Sequence, residues 1–176
     1  LALALALEPG AGGERARAAV WYRYAAEQAL DADDPRAVLE RVARGLACGA
    51  AGEERAQLLL LSAYAHDWLA DTLATETAAI DAMDAAAEGS TIWLRAAAEV
   101  TVASARQQNV GLVSSIARHL LRLAHGEDRS AYVIALAHTA AELLVAGRRD
   151  RALGGGDRLA VAAERDQRAD GRGRAR

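Results

Sequence analysis

Apolar residues recur every three or four positions over most of the chain, from about residue 14 to residue 146. This spacing is typical of helices that bury one face, whereas Val and Ile never gather into runs of strand length. Alternating Ala and Leu indicate one more short helix over residues 1–7, which Pro9 and Gly10 end. The pattern therefore predicts an all-α protein, with its main helices over residues 14–30, 35–47, 53–68, 72–87, 91–107, 110–124 and 128–146.

Polar residues and glycines mark where these helices begin and end. Asp34 is expected to cap a helix whose first residue is Pro35, a position that proline favours. Ser90 or Thr91 is expected to cap the fifth helix, and Gly147 to follow the seventh in a C′ position.

The short turns between helices recur at a nearly constant interval. They fall near Asp33, Asp71, Asn109 and Arg148, which are separated by 38, 38 and 39 residues. Longer breaks alternate with them, as expected for stacked helix hairpins. The spacing predicts a right-handed solenoid of about four antiparallel hairpins, similar to tetratricopeptide repeats. A single irregular helical bundle is the alternative.

Small and aromatic side chains are expected to have different roles in the packing of such a stack. One hairpin alone buries too little apolar surface to offset its ordering entropy. Alanines are expected at close helix contacts, at Ala25, Ala26, Ala63, Ala97, Ala98, Ala103, Ala140 and Ala141. Aromatic residues are expected to fill the remaining gaps, at Trp21, Tyr64, Trp68, Trp93 and Tyr132.

The composition narrows the class of protein. Ala accounts for 46 of the 176 residues, Phe and Lys are absent, and all 21 basic residues are Arg. So much Ala and Leu excludes a disordered chain, and a single cysteine excludes a disulfide scaffold. The preference for Arg is what a GC-rich genome produces. With a net charge of −3, the chain has no basic field that favours nucleic acid.

The compartment is inferred from three features of the sequence. The lone Cys48 fits a reducing cytoplasm. Residues 1–7 have the length of a signal-peptide core, but they lack a preceding basic segment and a small-residue cleavage site. We expect no apolar stretch to approach the roughly 18 to 20 residues that a helix needs to span a bilayer. We therefore expect a cytoplasmic protein without a membrane partner.

Three segments are expected along the chain. Residues 1–13 are interpreted as a remnant helix and linker, residues 14–150 as the repeat domain, and residues 151–176 as a degenerate last helix with a disordered tail. The chain starts at Leu1 and its one Met is Met83, which suggests a fragment of a longer protein. The tail has the composition of a GC-rich gene read out of frame, and a natural flexible terminus is the equal alternative.

No pattern of residues predicts catalysis or a cofactor. The chain lacks a P-loop, a His-Glu-x-x-His motif and a cysteine pair, so no catalytic, cofactor-binding or metal-ligating residue is assigned. His119 and His125 lie on different helix faces. Asp81 and Asp84 share a face, which is the ordinary arrangement of a solvated helix side.

A partner groove is the site that the repeat hypothesis predicts. The first helix of each hairpin lines the concave surface of such a stack, where a peptide or helix can bind. The polar residues expected on this surface are Arg23, His66, Arg95, Glu99, His138 and Glu142. Ordinary solvent exposure is the alternative for each of them.

Three stretches together resemble a known bacterial family. They are residues 19–30 (AVWYRYAAEQAL), 41–50 (RVARGLACGA) and 92–97 (IWLRAA). Over residues 14–150 the chain resembles the C-terminal helical-repeat region of large signalling proteins, in which a serine/threonine kinase or a cyclase domain precedes an AAA-type ATPase. The resemblance implies a non-catalytic scaffold that binds a protein, a peptide or neighbouring domains, and it carries no catalytic residue to this chain.

Two other functions remain open. An enzyme with an unrecognised helical site would need a deep pocket with convergent titratable groups of perturbed pKa. A stand-alone helical regulator, either an adaptor or a DNA-associated protein, is the other alternative, and binding of duplex DNA at low salt would distinguish the DNA-associated form.

Overall fold

Seven helices and no strand make up the part of the chain that the structure describes, which is residues 9–123 and 128–147. The structure is a computed structural model, and the predicted all-α class is confirmed. The helices are α1 (Pro9–Asp31), α2 (Pro35–Ala47), α3 (Gly52–Trp68), α4 (Thr72–Ala85), α5 (Thr91–Arg106), α6 (Val110–Arg122) and α7 (Arg129–Gly147). The predicted helix over residues 1–7 and the tail beyond residue 147 lie outside the described residues.

The start of α1 differs from the prediction. The break expected from Pro9 to Gly13 is wrong, because α1 begins at Pro9 and continues through Gly12 and Gly13 to Asp31. Proline is compatible with the first helical position, where its missing N–H has no partner to lose. The Ala and Arg residues that follow are good helix formers, and they outweigh the cost of three glycines, Gly10, Gly12 and Gly13.

Three short turns share one geometry, a Schellman motif followed directly by a helix cap. A residue with left-handed backbone ends each preceding helix, namely Asp33 (φ 59°), Ala70 (φ 57°) and Gln108 (φ 61°). In the first turn, the N–H of Asp33 donates to Leu30 at 3.0 Å and the N–H of Asp34 donates to Ala29 at 3.0 Å. The other two turns repeat both bonds. The three turns lie 37 and 38 residues apart, close to the predicted interval.

Side-chain caps start the helices that follow these turns. An oxygen of the capping side chain accepts the N–H of the residue three positions later, at Asp34, Asp71 and Asn109. Ser90 caps α5 in the same way through the N–H of Trp93. The predicted caps at Asp34 and Ser90 are therefore confirmed.

Each odd-numbered helix packs on the next odd-numbered helix as well as on its neighbours in sequence. Helix α1 contacts α2 and α3, and α3 contacts α4 and α5. Helix α7 continues the series, because its Thr139 hydroxyl lies 3.2 Å from that of Thr101 on α5. Among helices α1 to α6, the even-numbered helices contact only helices adjacent in sequence.

The core lies between these helices and consists largely of alanine and leucine. Leu58, Leu94 and Leu120 are its largest fully buried side chains. Gly45 allows close approach there, since a Cβ at this position would lie 2.9 Å from a methyl carbon of Leu58. Five alanines predicted at helix contacts are buried, Ala26, Ala63, Ala97, Ala98 and Ala103.

Four of the predicted packing residues are exposed instead. Trp21 is 72% exposed and Trp68 is 50% exposed, and Ala140 and Ala141 also face outward. Trp68 is the last residue of α3, where the helix leaves the core. The other three lie on α1 and α7, the two ends of the described series, where no further described helix covers them. Trp93 is buried as predicted, whereas Tyr64 and Tyr132 are half-buried.

Helix α7 is long and apolar enough to cross a membrane by length and composition, with a mean hydropathy of 1.4. The expectation that no stretch reaches this length is therefore wrong. One such helix is weak evidence for a membrane span, because core helices of soluble proteins meet the same criterion.

Candidate functional site

A cleft of about 310 Å³ lies between α3, α5 and the first half of α7. Helical spacing brings its side chains together, because Arg95 and Glu99 lie one turn apart on α5, as do Ile134 and His138 on α7. We name it the α3–α5–α7 cleft, and its lining residues are Tyr64, Arg95, Ala98, Glu99, Asp128, Ser130, Ala131, Ile134 and His138.

The end of the cleft at the start of α7 is fixed by a cap. The Asp128 carboxylate accepts the N–H of Ser130 at 2.8 Å and that of Ala131 at 3.1 Å. These bonds satisfy the free amides of the first turn, so the role of Asp128 is to hold the helix start in place.

Glu99 is the most perturbed acid in the cleft. Burial raises the pKa of its carboxyl to about 7; the charge of Asp67 raises it further, and that of Arg106 lowers it. Asp67 and Arg106 form an ion pair between α3 and α5. Near neutral pH, Glu99 therefore exists in both protonation states, so it can donate or accept a hydrogen bond.

Tyr64 lies on the opposite wall and stays protonated. Burial raises the pKa of its phenol to about 12; the charge of Glu99 raises it further, and that of Arg95 lowers it. Its hydroxyl is consequently a neutral donor and acceptor at physiological pH.

Three charged or titratable side chains of the cleft have no hydrogen-bond or ion-pair partner among the described residues. Within residues 12–123 and 128–147, Arg95, Glu99 and His138 form neither a hydrogen bond nor an ion pair. Four such groups, counting the Tyr64 hydroxyl, converge on one apolar-walled hollow. Their hydrogen-bonding capacity is open to a ligand.

Arg23 is the contrasting case on α1. Its guanidinium binds Glu27 at 2.6 Å and Glu54 at 2.9 Å, and it lies 4.1 Å from the ring centre of Tyr24. Burial alone would lower its pKa, but these neighbours raise the pKa above its ordinary value. Arg23 therefore holds α1 and α3 together, and its guanidinium is already engaged by two carboxylates.

The structure brings together three of the six predicted groove residues. Arg95, Glu99 and His138 line the α3–α5–α7 cleft. His66 lines a separate, wider hollow of about 450 Å³ between α3 and α4, together with Asp71 and Asp81. Glu142 is half-buried one turn beyond His138 on α7 and does not line the cleft.

Sequence reasoning missed the role of Tyr64 and of Ile134. An aromatic on a helix predicts core packing, and nothing in the local sequence shows that its hydroxyl edge meets a cleft. The 38-residue period is the one signal that could have placed α3, α5 and α7 side by side and directed attention to their shared surface.

The remaining titratable groups form no metal site in the described part of the chain. No group of three or more His, Cys, Asp or Glu side chains in the described residues is arranged to hold a metal ion. His119 binds Glu88 at 2.7 Å and stacks against Trp93, with ring centres 4.9 Å apart. His125 lies outside the described residues.

Comparison with protein-family models, with curated proteins and with solved structures finds no significant match for the chain. The site must therefore be interpreted from its own geometry.

Proposed function

We propose that the chain is a non-catalytic helical-repeat scaffold that binds a protein or peptide partner in the α3–α5–α7 cleft. The observation that carries this proposal is the convergence of Arg95, Glu99 and His138, three side chains from two helices that form no hydrogen bond or ion pair among the described residues. A backbone or side chain of a bound peptide would supply the missing partners.

The repeat architecture is the first step of the argument. Identical Schellman turns 37 and 38 residues apart, and contacts from α1 to α3 and from α3 to α5, support a tetratricopeptide-like solenoid. In such a stack the first helices of successive hairpins share one surface. The α3–α5–α7 cleft joins three helices of that set.

The size and polarity of the cleft are the second step. Its volume of about 310 Å³ lies at the lower end of the range for small-ligand sites, so it fits one or two side chains of a peptide. The apolar wall at Ile134, the charge of Arg95 and the carboxyl of Glu99 suit a segment that carries both an apolar and a polar or charged residue.

The biological setting is proposed from the resemblance over residues 14–150. It suggests a cytoplasmic scaffold region in a bacterial kinase or cyclase with an AAA-type ATPase, where the partner is a second protein or a neighbouring domain. With a net charge of −3, the chain favours such a partner over nucleic acid.

Selecting peptides that bind to the whole chain tests the proposal. Peptides from a displayed random library would be synthesised, and their Kd measured for the wild type, Arg95→Ala, Glu99→Gln and His138→Ala. Arg36→Ala is the matched control, because Arg36 is exposed on α2 and away from the cleft. We expect the cleft variants to weaken binding about tenfold or more, which equals about 1.4 kcal/mol each. Equal affinity for all variants would contradict the proposal.

An acid–base enzyme is the second candidate, because Glu99 has a pKa of about 7 beside the Tyr64 hydroxyl. A carboxyl that titrates near the working pH is suited to proton transfer. Turnover of simple ester, phosphate ester and glycoside substrates, compared between the wild type and Glu99→Gln, tests this function. Turnover that survives in Glu99→Gln would exclude Glu99 as its catalytic residue.

A further inference from the structure

Two opposite charges of the α3–α5–α7 cleft lie one helical turn apart and do not meet. On α1, Arg23 and Glu27 have the same order and spacing, and they form an ion pair at 2.6 Å. On α5, Arg95 and Glu99 form no ion pair with each other or with any other described residue. The guanidinium and the carboxyl therefore both remain open to a ligand in the cleft.

The two groups differ in how deeply they lie. Glu99 is half-buried, whereas Arg95 and His138 are exposed. Ala98 and Ile134 give the cleft its apolar lining beside them. A side chain of the partner that reaches Glu99 must therefore combine an apolar stem with a polar end.

The charges of Arg95 and Glu99 decide which polar end fits. An anionic end would satisfy Arg95 but be repelled by ionised Glu99, and a cationic end would satisfy Glu99 but be repelled by Arg95. Either arrangement leaves one charge uncompensated, which is costly in a partly buried site. A primary carboxamide is neutral, and one planar group provides both a carbonyl oxygen that accepts and an N–H that donates. It therefore suits both sides of the pair.

We propose that the cleft binds a glutamine side chain of the partner, whose carboxamide oxygen accepts from Arg95 and whose N–H donates to Glu99. The two methylenes of this side chain are the apolar stem that lies along Ile134, and the Tyr64 hydroxyl is an acceptor for the second N–H. This inference rests on the proposed function, because it names the residue type by which the protein or peptide partner is recognised in the same cleft.

Binding of glutamine favours the ionised form of Glu99. Burial raises the pKa of the free carboxyl to about 7, and an N–H that donates to the carboxylate lowers this pKa. Binding therefore releases a proton and becomes stronger as the pH rises. About a tenth of Glu99 is ionised at pH 6 and about nine tenths at pH 8, so the Kd should fall about tenfold between these two values.

Other groups around Glu99 must be separated from this effect. The charged and titratable groups that act on Glu99 or line the cleft beside it come from three helices: Tyr64 and Asp67 on α3, Arg95 and Arg106 on α5, and Asp128 and His138 at the start and middle of α7. Arginines keep their charge, and a pKa of about 12 keeps Tyr64 neutral between pH 6 and pH 8. Histidine side chains change charge in this range, so a variant at His138 is needed.

Titration of the whole chain with three small probes, followed by nuclear magnetic resonance, tests the proposal. The probes are the N-acetyl methylamides of glutamine, glutamate and norleucine, which share one backbone and differ in the side chain. For the glutamine probe we expect a Kd of about 1 mM at pH 8 and about 10 mM at pH 6. The norleucine probe should bind about tenfold more weakly at pH 8 because it lacks the polar end. The glutamate probe should show the opposite pH trend, since its carboxylate requires Glu99 to be protonated.

Variants assign the pH dependence to its group. Glu99→Gln should weaken binding of the glutamine probe about tenfold at pH 8 and remove the pH dependence, because no carboxylate forms. Glu53→Gln is the matched control, since Glu53 is exposed in the first turn of α3 and does not line the cleft. His138→Ala should keep the tenfold ratio between pH 6 and pH 8, because that ratio arises from Glu99. The amide spectra show whether each variant is folded.

The outcomes separate this inference from the proposed function. Absence of glutamine-probe binding, equal affinity for the glutamine and norleucine probes, loss of the pH dependence in His138→Ala, or its survival in Glu99→Gln would overturn glutamine recognition. If library peptides nevertheless bind the cleft variants more weakly than the wild type, the cleft is still a peptide site. Library peptides that bind all variants equally would contradict the proposed function itself.

Discussion

At the residue scale, single side chains decide the local backbone at the turns and the closest helix contacts. Ala70 has φ 57°, a left-handed conformation that costs an L-residue with a Cβ roughly 1–2 kcal/mol. Gly45 lies within van der Waals reach of Leu58 and Tyr22, where the absence of a Cβ is required. Both positions therefore favour glycine over alanine, position 70 because of its backbone conformation and position 45 because of the space available.

Ala70→Gly is expected to stabilise the protein by about 1 kcal/mol, because glycine adopts the left-handed conformation without the Cβ penalty. Urea denaturation measures the change. Ala43→Gly is the control on the exposed side of α2, where glycine should instead destabilise by about 1 kcal/mol. Destabilisation by Ala70→Gly would show that the turn does not have this geometry.

Gly45→Ala is expected to destabilise by about 1–3 kcal/mol, since the added Cβ would lie 2.9 Å from a Leu58 methyl and 3.3 Å from the Cβ of Tyr22. Gly13→Ala is the matched control, because no atom lies within 4 Å of a Cβ at that helical glycine. It should stabilise by about 0.5–1 kcal/mol through helix propensity. Equal shifts in thermal midpoint for both variants would refute the close approach at Gly45.

Glu99 should make the stability depend on pH. Its carboxyl keeps a proton up to a pKa of about 7 in the folded chain, whereas an unfolded glutamate releases it near pH 4.3 (about the model-peptide value). The stabilising contribution is therefore complete below the unfolded pKa and is lost as the pH rises to about 7 and above.

The free energy of unfolding of the wild type, relative to Glu99→Gln, should consequently fall between about pH 4 and pH 8. Because the difference is taken against Glu99→Gln, pH effects that are common to both proteins largely cancel. A difference that stays constant over this range would show that the pKa of Glu99 is ordinary.

At the element scale, α5 and α7 are joined by a buried hydroxyl pair. The Thr101 hydroxyl donates to the carbonyl of Ala97 at 2.8 Å, and that of Thr139 donates to the carbonyl of Ala135 at 2.7 Å. Their oxygens lie 3.2 Å apart, so either hydroxyl can instead donate to the other. The two hydroxyl protons are shared among three possible hydrogen bonds, two to carbonyls and one between the hydroxyls. This sharing couples the two helices.

Thr101→Val and Thr139→Val should each destabilise by about 1–2 kcal/mol, because each leaves the remaining hydroxyl with a lost partner in the core. The double variant should cost less than the sum of the single ones, since it removes both polar groups together. A double-mutant cycle by chemical denaturation measures this coupling. Strict additivity would mean that the two hydroxyls do not interact.

Helix bounds could be predicted from the sequence because caps and turn residues act locally. Asp34, Ser90 and the turn near Asn109 have their signals within four residues. The start of α1 was mispredicted, since Pro9 is compatible with both a break and a first helical position. Exposure of Trp21 and Ala140 could not be predicted, because it depends on which helices lie beside α1 and α7.

At the scale of the whole molecule, the odd-numbered helices follow one another in space as they do in the sequence. This order places Tyr64, Arg95, Glu99 and His138 around one cleft, although they span more than seventy residues of the chain. Three of these four were predicted from the period alone. The cleft itself, with its volume and the pKa of Glu99, follows from helix packing that no local pattern encodes.

The central claim is that α1, α3, α5 and α7 stand in a row. Distance measurement by double electron–electron resonance tests it most directly, with spin labels at Gln28→Cys and Ala141→Cys in a Cys48→Ser background. Both sites are exposed, and they occupy equivalent positions on α1 and α7. Dilution with unlabelled protein removes distances between molecules.

Three helix-to-helix steps of about 8–10 Å each predict a single distance of about 25–30 Å between the labels. A closed bundle would bring α1 and α7 into direct contact. A dominant distance below about 15 Å would then be observed, and it would contradict the proposed repeat stack.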